Sequence, residues 1–138
     1  MTKHLNFHLQ GIEILAFSFT EYNIAADVDS IRFDIEQEQK ARQEKSLIIN
    51  IVSIQLLNIK SSAKLAHLKI ACGFEVPSFD KAVKQGKQGE AIIDHHLNAS
   101  LNRISIATAR GILFSQLKGT TLHHAIMPIL ALESNPTP

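Results

Sequence analysis

Residues 5–22 alternate between apolar and polar positions. Leu5, Phe7 and Leu9 share one phase, Gly11 interrupts, Ile12 and Ile14 follow in the shifted phase, and Leu15, Phe17 and Phe19 return to the first. A period of two with phase slips predicts a long strand carrying one or two bulges. Asn23–Ser30, with two Asp residues, predicts a turn. Ile31, Phe33 and Ile35 open a second strand, which becomes almost wholly polar through Glu36–Ser46, EQEQKARQEKS. Residue propensity there also allows a helix. A helix would have no apolar face to bury, so a hairpin whose tip projects into solvent is the favoured reading.

Leu47–Ile59, LIINIVSIQLLNI, is β-branched, apolar and nearly continuous, as expected of a strand covered on both faces. Leu65–Val76 alternates again. Ala66, Leu68, Ile70, Cys72 and Phe74 share one face, and His67, Lys69, Ala71 and Glu75 the other. Pro77 to Gly89 reads as a polar connection, loosest at KQGKQG. From about Glu90 the period becomes helical. Ile93, Leu97, Leu101, Ile104 and Thr108 line one face, with Ile106, Ala109, Leu113 and Leu117 on its neighbour. The predicted helix spans 90–117 and stops at Lys118-Gly119, a cation followed by a glycine. Residues 131–138 are expected to be a disordered tail.

These elements predict one α+β domain over residues 1–138: a four-stranded antiparallel meander sheet followed by one long helix. The helix carries apolar residues on two faces, and one sheet can cover only one of them. The small-residue face, with Ser105, Ala109 and Leu113, is expected to pack on the same helix of another subunit. That gives a homo-oligomer: a dimer, or a homotetramer built as a dimer of dimers. The alternative is a tightly packed helix within one chain, with no partner.

Composition narrows the class. Lys+Arg total 14 against 13 for Asp+Glu, so there is no basic excess to suggest a nucleic-acid partner. No apolar run reaches the ~20 residues that span a bilayer. MTKHLNFHLQ has neither an apolar h-region nor a cleavage site, and the single Cys72 leaves no internal disulfide framework. A cytoplasmic protein is expected.

In this order the elements resemble the SecB export-chaperone family. FHLQGIEILAFSFTEYN resembles the first SecB strand, LAHLKIACGFEV the fourth, and ISIATARGILFSQLKGTTLHHAIMPIL the helix, Gly-Thr turn and Pro-bearing loop. The resemblance covers most of residues 5–130 and is with a short form, without the family's second helix and acidic tail. It implies a non-enzymatic chaperone that binds unfolded or partly folded polypeptides, with a role in protein export. A dedicated adaptor for one partner, such as an antitoxin, is the alternative. The polypeptide-binding groove it implies would take in Phe17, Phe19, Tyr22, Phe114, Ile126, Met127 and Ile129; each of these alone also reads as core. Family positions associated with docking on the SecA motor become Ala16, Thr20 and His67, none of them a carboxylate, so docking on SecA is not expected.

Residue chemistry adds little. His95-His96 and His123-His124 are adjacent pairs, and neighbours on a helix point about 100° apart, poorly placed to chelate. A small metal- or ligand-dependent protein is a third reading, resting on those pairs alone; no metal or other cofactor is expected. Lys118-Gly119-Thr120 reverses the Gly-Lys order of a phosphate loop. Cys72, between Ile70 and Phe74 on the apolar face, reads as a buried structural thiol. No catalytic residue is assigned, because no nucleophile–base pair or carboxylate pair stands at useful spacing.

Overall fold

A computed structural model describes residues 5–20 and 31–128. Four strands of twelve residues each form one antiparallel sheet: β1 (His8–Phe19), β2 (Ile31–Arg42), β3 (Leu47–Asn58) and β4 (Lys64–Glu75). The polar stretch after Ile35 is strand, as the missing apolar face required. A short 3-10 turn, Gln43–Lys45, closes the hairpin, and Ser46 completes it in the left-handed region at φ 51.

The strand order is β1-β4-β3-β2, which corrects the expected meander. Only β2, β3 and β4 follow one another in space; β1 lies against β4. The apolar load accounts for this. β3 and β4 bury almost every second residue completely, whereas β1 and β2 leave most of theirs partly or fully exposed, which only edge positions tolerate. Both phase slips of the first strand are real. The register against β4 shifts between Leu9 and Gly11 and between Ile14 and Ala16, so Gln10 and Leu15 are the extra residues.

The polar connection contains more structure than its composition suggested. A single helical turn, α1 (Phe79–Ala82), drops Phe79 and Ala82 into the core. β5 (Val83–Gln85) and β6 (Ala91–Ile93) then pair as a small hairpin around Gly89, which has φ +82. The long helix, α2 (His95–Gln116), therefore starts five residues after the expected Glu90, and Ile93 belongs to a strand. Three-residue strands are too short to show a period. Asp94 is the N-cap, its carboxylate accepting from the Leu97 N–H at 3.1 Å. The other end is where the sequence placed it. Leu117 is the C-cap, Gly119 turns at φ +83, and the Thr120 N–H donates to the Leu117 carbonyl at 3.0 Å.

α2 lies on the sheet face formed by Ile48, Val52, Ile54 and Leu56 of β3 and Leu68, Ile70, Cys72 and Phe74 of β4; this inner face is the core. Among the described residues the outer face is largely open, although Ile51 is buried on it. β3 was expected to be covered on both sides, but Leu47 and Ile49 remain half-exposed there.

Candidate polypeptide-binding site

Cross-strand partners share a face. Leu9, Ile12, Ile14, Phe17 and Phe19 oppose Phe74, Cys72, Ile70, Leu68 and Ala66, so all five lie on the inner face. α2 enters beside β2, where Asn98 meets Gln39, and reaches β4, where Ser105 stands next to Cys72. A helix about 10 Å across covers roughly two strands spaced about 4.8 Å apart. The first half of β1 is left uncovered: Leu9 is 41% exposed, Ile12 48% and Ile14 45%, and the bulge residue Leu15 is exposed too. An apolar strip on the inner side of a sheet is surface that a single copy of the chain leaves unfinished.

The anticipated binding residues that are described divide into three groups. Phe17 and Phe19 are half-buried, packed against the edge of the core at the last part of β1. Phe114, on the last turns of α2, and Ile126, beyond it, are 50% and 64% exposed. Met127 is 2% exposed and belongs to the core cluster with Leu122 and Ala125, so it is a packing residue and not part of an open groove. Tyr22, Ile129 and the expected tail at 131–138 lie outside the described residues.

The expected helix–helix interface needs correction. Ser105, Ala109 and Leu113 are all at or below 1% exposure inside one chain, facing the sheet. They are not free to meet another subunit. Along the middle and second half of α2 the outward positions include Arg103, Ala107, Gly111 and Phe114. The surplus apolar surface belongs to the sheet, on β1, more than to the helix. The alternation of Leu9, Ile12 and Ile14 is that of any half-buried strand and does not say what covers them. Strand order and helix width show that nothing among the described residues covers them.

Two further features lie on the outer face. Gly11 and Gly73 oppose each other and leave a shallow depression of about 440 Å³ flanked by Leu47, Ile49 and Ala71. Nearby, the Ser53 hydroxyl and His67 Nε2 are 2.8 Å apart, with Glu36 opposite Ser53. Sheet register creates this nucleophile–base pair across a fourteen-residue separation, which the sequence did not reveal. A Ser–His pair alone is weakly reactive. Acyl transfer also needs N–H donors aimed at an oxyanion, and the backbone donors of β3 and β4 are engaged in ladders on both sides. Cys72 is buried, and that burial pushes its thiol pKa up against a smaller opposing effect of the Ser105 hydroxyl, so it behaves as a packed thiol. The adjacent histidine rings contact each other, at 5.7 Å for His95–His96 and 3.7 Å for His123–His124. Among the described residues no three His, Cys, Asp or Glu side chains gather as a metal-binding group, and no helix is long and apolar enough to cross a membrane.

No protein-family model matches the sequence, and no curated protein matches it. The fold does have a match among solved structures. It is similar to the Mycobacterium tuberculosis SecB-like chaperone Rv1957, solved in complex with a ChAD peptide from the Rv1956 HigA1 antitoxin. The TM-score is 0.58 at 13% identity, over 91% of this chain and 88% of that one. The fold is SecB-like. The resemblance drawn from FHLQGIEILAFSF, LAHLKIACGFEV and the TARG–GT–IMPIL segment is thus met in three dimensions. At that identity what the two chains share is the SecB-like framework of sheet and long helix, which places the exposed apolar residues at the first strand and at the helix end.

Proposed function

We propose that this SecB-like chain is a non-enzymatic, chaperone-like protein that binds non-native polypeptide segments. The observation that carries the reading is large apolar side chains left open at the end of the helix, Phe114 and Ile126, beside an otherwise well-packed core. A protein that holds unfolded chains must offer such surface to its clients. Phe17 and Phe19, with Tyr22 and Ile129, extend the proposed client surface. Apolar contacts of this kind select weakly among sequences and favour extended, aromatic-rich segments. The test is aggregation of several unrelated unfolded proteins. The chain is expected to slow all of them at stoichiometric amounts; failure at molar excess sinks the general-holdase reading. A dedicated adaptor is the second reading, favoured by the antitoxin peptide bound to the similar Mycobacterium tuberculosis chaperone. One partner co-purifying, with no effect on unrelated clients, selects it. A cytoplasmic location and a part in protein export belong to the same proposal.

Assembly is proposed through β1. Its inner strip of Leu9, Ile12 and Ile14 is half-exposed and its outer edge pairs with no strand among the described residues, whereas the β2 edge carries Arg32, Asp34, Glu36, Glu38, Lys40 and Arg42. Charged edges discourage strand addition and apolar ones invite it. A homo-oligomer that buries the strip, a dimer or a dimer of dimers, follows from this asymmetry. Ile14→Lys is expected to shift sedimentation towards the monomer while leaving the circular dichroism spectrum unchanged. A wild-type monomer at micromolar concentration would overturn the assembly reading.

A further inference from the structure

The core contains one polar island. Asn50 and Ser105 are 3% and 1% exposed, and the rest of the buried set among the described residues is apolar. Asn50 sits in the inner-face series Ile48, Val52, Ile54 and Leu56, where an aliphatic side chain would continue the pattern. A buried amide is unfavourable there unless its hydrogen-bonding groups are met. They are. Asn50 Oδ1 accepts from Gln39 Nε2 at 2.7 Å, and Asn50 Nδ2 donates to Asn102 Oδ1 at 3.2 Å and to Ser105 Oγ at 3.1 Å. Gln39 Nε2 also donates to Asn98 Oδ1 at 2.8 Å, and the Ser105 hydroxyl donates to the Leu101 carbonyl at 2.7 Å. Gln39 and Asn50 are register partners on β2 and β3, and Asn98, Asn102 and Ser105 form one stripe on α2. The network therefore ties three elements together at a single level of the sheet.

The buried aliphatic contacts of α2 with the sheet do not discriminate in this way. Leu97, Leu101, Ile106, Ala109, Leu113 and Leu117 face the sheet with aliphatic groups. Burial of such groups is non-directional, and cores tolerate their rearrangement if volume is kept. Turning α2 about its axis by one residue, about 100°, would bring Ile104 and Ile112, half-buried beside the core, onto the sheet in place of Ser105 and Leu113. It would also strip Asn50 Nδ2 of its helix partners Asn102 and Ser105 and leave that buried N–H group unpaired, a loss of about 1–3 kcal/mol. We propose that the Gln39–Asn50–Asn98–Asn102–Ser105 network is a register key, which selects one seating of α2 on the sheet where apolar packing alone would accept several. Buried polar residues that fix register at some expense of stability are known in coiled coils. Here the key determines where the outward residues of α2, from Ala107 to Phe114, come to lie relative to the sheet. It acts whether or not the chain binds clients.

The test is the full-length double variant Asn50→Leu, Ser105→Ala, which makes the buried part of the network apolar and leaves the exposed Gln39 and the half-buried Asn98 and Asn102 at its margin. The readout is the number of backbone amide resonances per α2 residue. Two or more sets are expected, with the minor seating populated to roughly one part in ten, and amide exchange faster in α2 than in β3. One set of α2 resonances with wild-type protection overturns the proposal, whatever the melting temperature, because the network is then an ordinary contact. If the double variant does not fold, Asn102→Leu gives the same reading: duplicated α2 resonances support the key and a single set overturns it.

Discussion

Ala109→Arg is expected to destabilise the protomer itself, by about 3–5 kcal/mol. Ala109 has no exposed surface and faces the sheet from the middle of α2. A guanidinium at that position either carries its charge into an aliphatic core or lifts the helix off β3 and β4. Domains of this size are stable by only about 5–15 kcal/mol, so the fall in melting temperature should be about 10 °C or more. Ala107→Arg, two residues earlier and outward, is the control and should stay within about 0.5 kcal/mol of the parent. Thermal melts of the two variants measure which way the helix is turned. Equal melts would mean that the buried face of α2 has been assigned wrongly. This comparison also separates folding from assembly, since an interface residue would alter sedimentation before it altered the melt.

Ile126→Asp and Met127→Asp, adjacent in the chain, should have opposite consequences. Ile126 is 64% exposed, so a carboxylate there remains in water and the fold is kept. If its side chain meets clients, the lost apolar contact, about 1.5–3 kcal/mol, weakens binding by roughly ten- to a hundredfold. Met127 is 2% exposed, and Asp in its place would put a carboxylate among Leu122, Ala125 and the rest of the core. That variant should lose melting temperature and client binding together. Fluorescence titration with an unfolded client, alongside circular dichroism, reads both. Full binding by Ile126→Asp would remove that residue from the client surface.

Much of the architecture was legible in the sequence because it rests on local rules. Period-two alternation located the first and fourth strands and the start of the second, a nearly continuous apolar run located the third, the slips at Gly11 and Leu15 located both bulges, and the polar run after Ile35 was assigned to a hairpin because a helix there had nothing to bury. Lys118-Gly119 marked the helix end because the chain turns there with positive φ. The β5–β6 hairpin and the late helix start were not legible, since three residues are too few to show a period and Asp94 caps only when the chain before it is extended.

The sequence by itself determined which residues are apolar, at what spacing, and therefore that the chain forms a long-stranded antiparallel sheet with one long helix. The tertiary structure decided which of those residues are covered. β1 pairs with β4 and not β2, and a helix only about two strands wide spans part of the inner face. Leu9, Ile12 and Ile14 are consequently exposed, while Ser105, Ala109 and Met127 are buried. The same division holds for chemistry: Ser53 and His67, and Gln39 and Asn98, become neighbours only through register and helix seating. Periodicity reports the face a side chain shares with its chain neighbours. Whether that face meets water, another element or another molecule depends on long-range pairing, which no local pattern encodes.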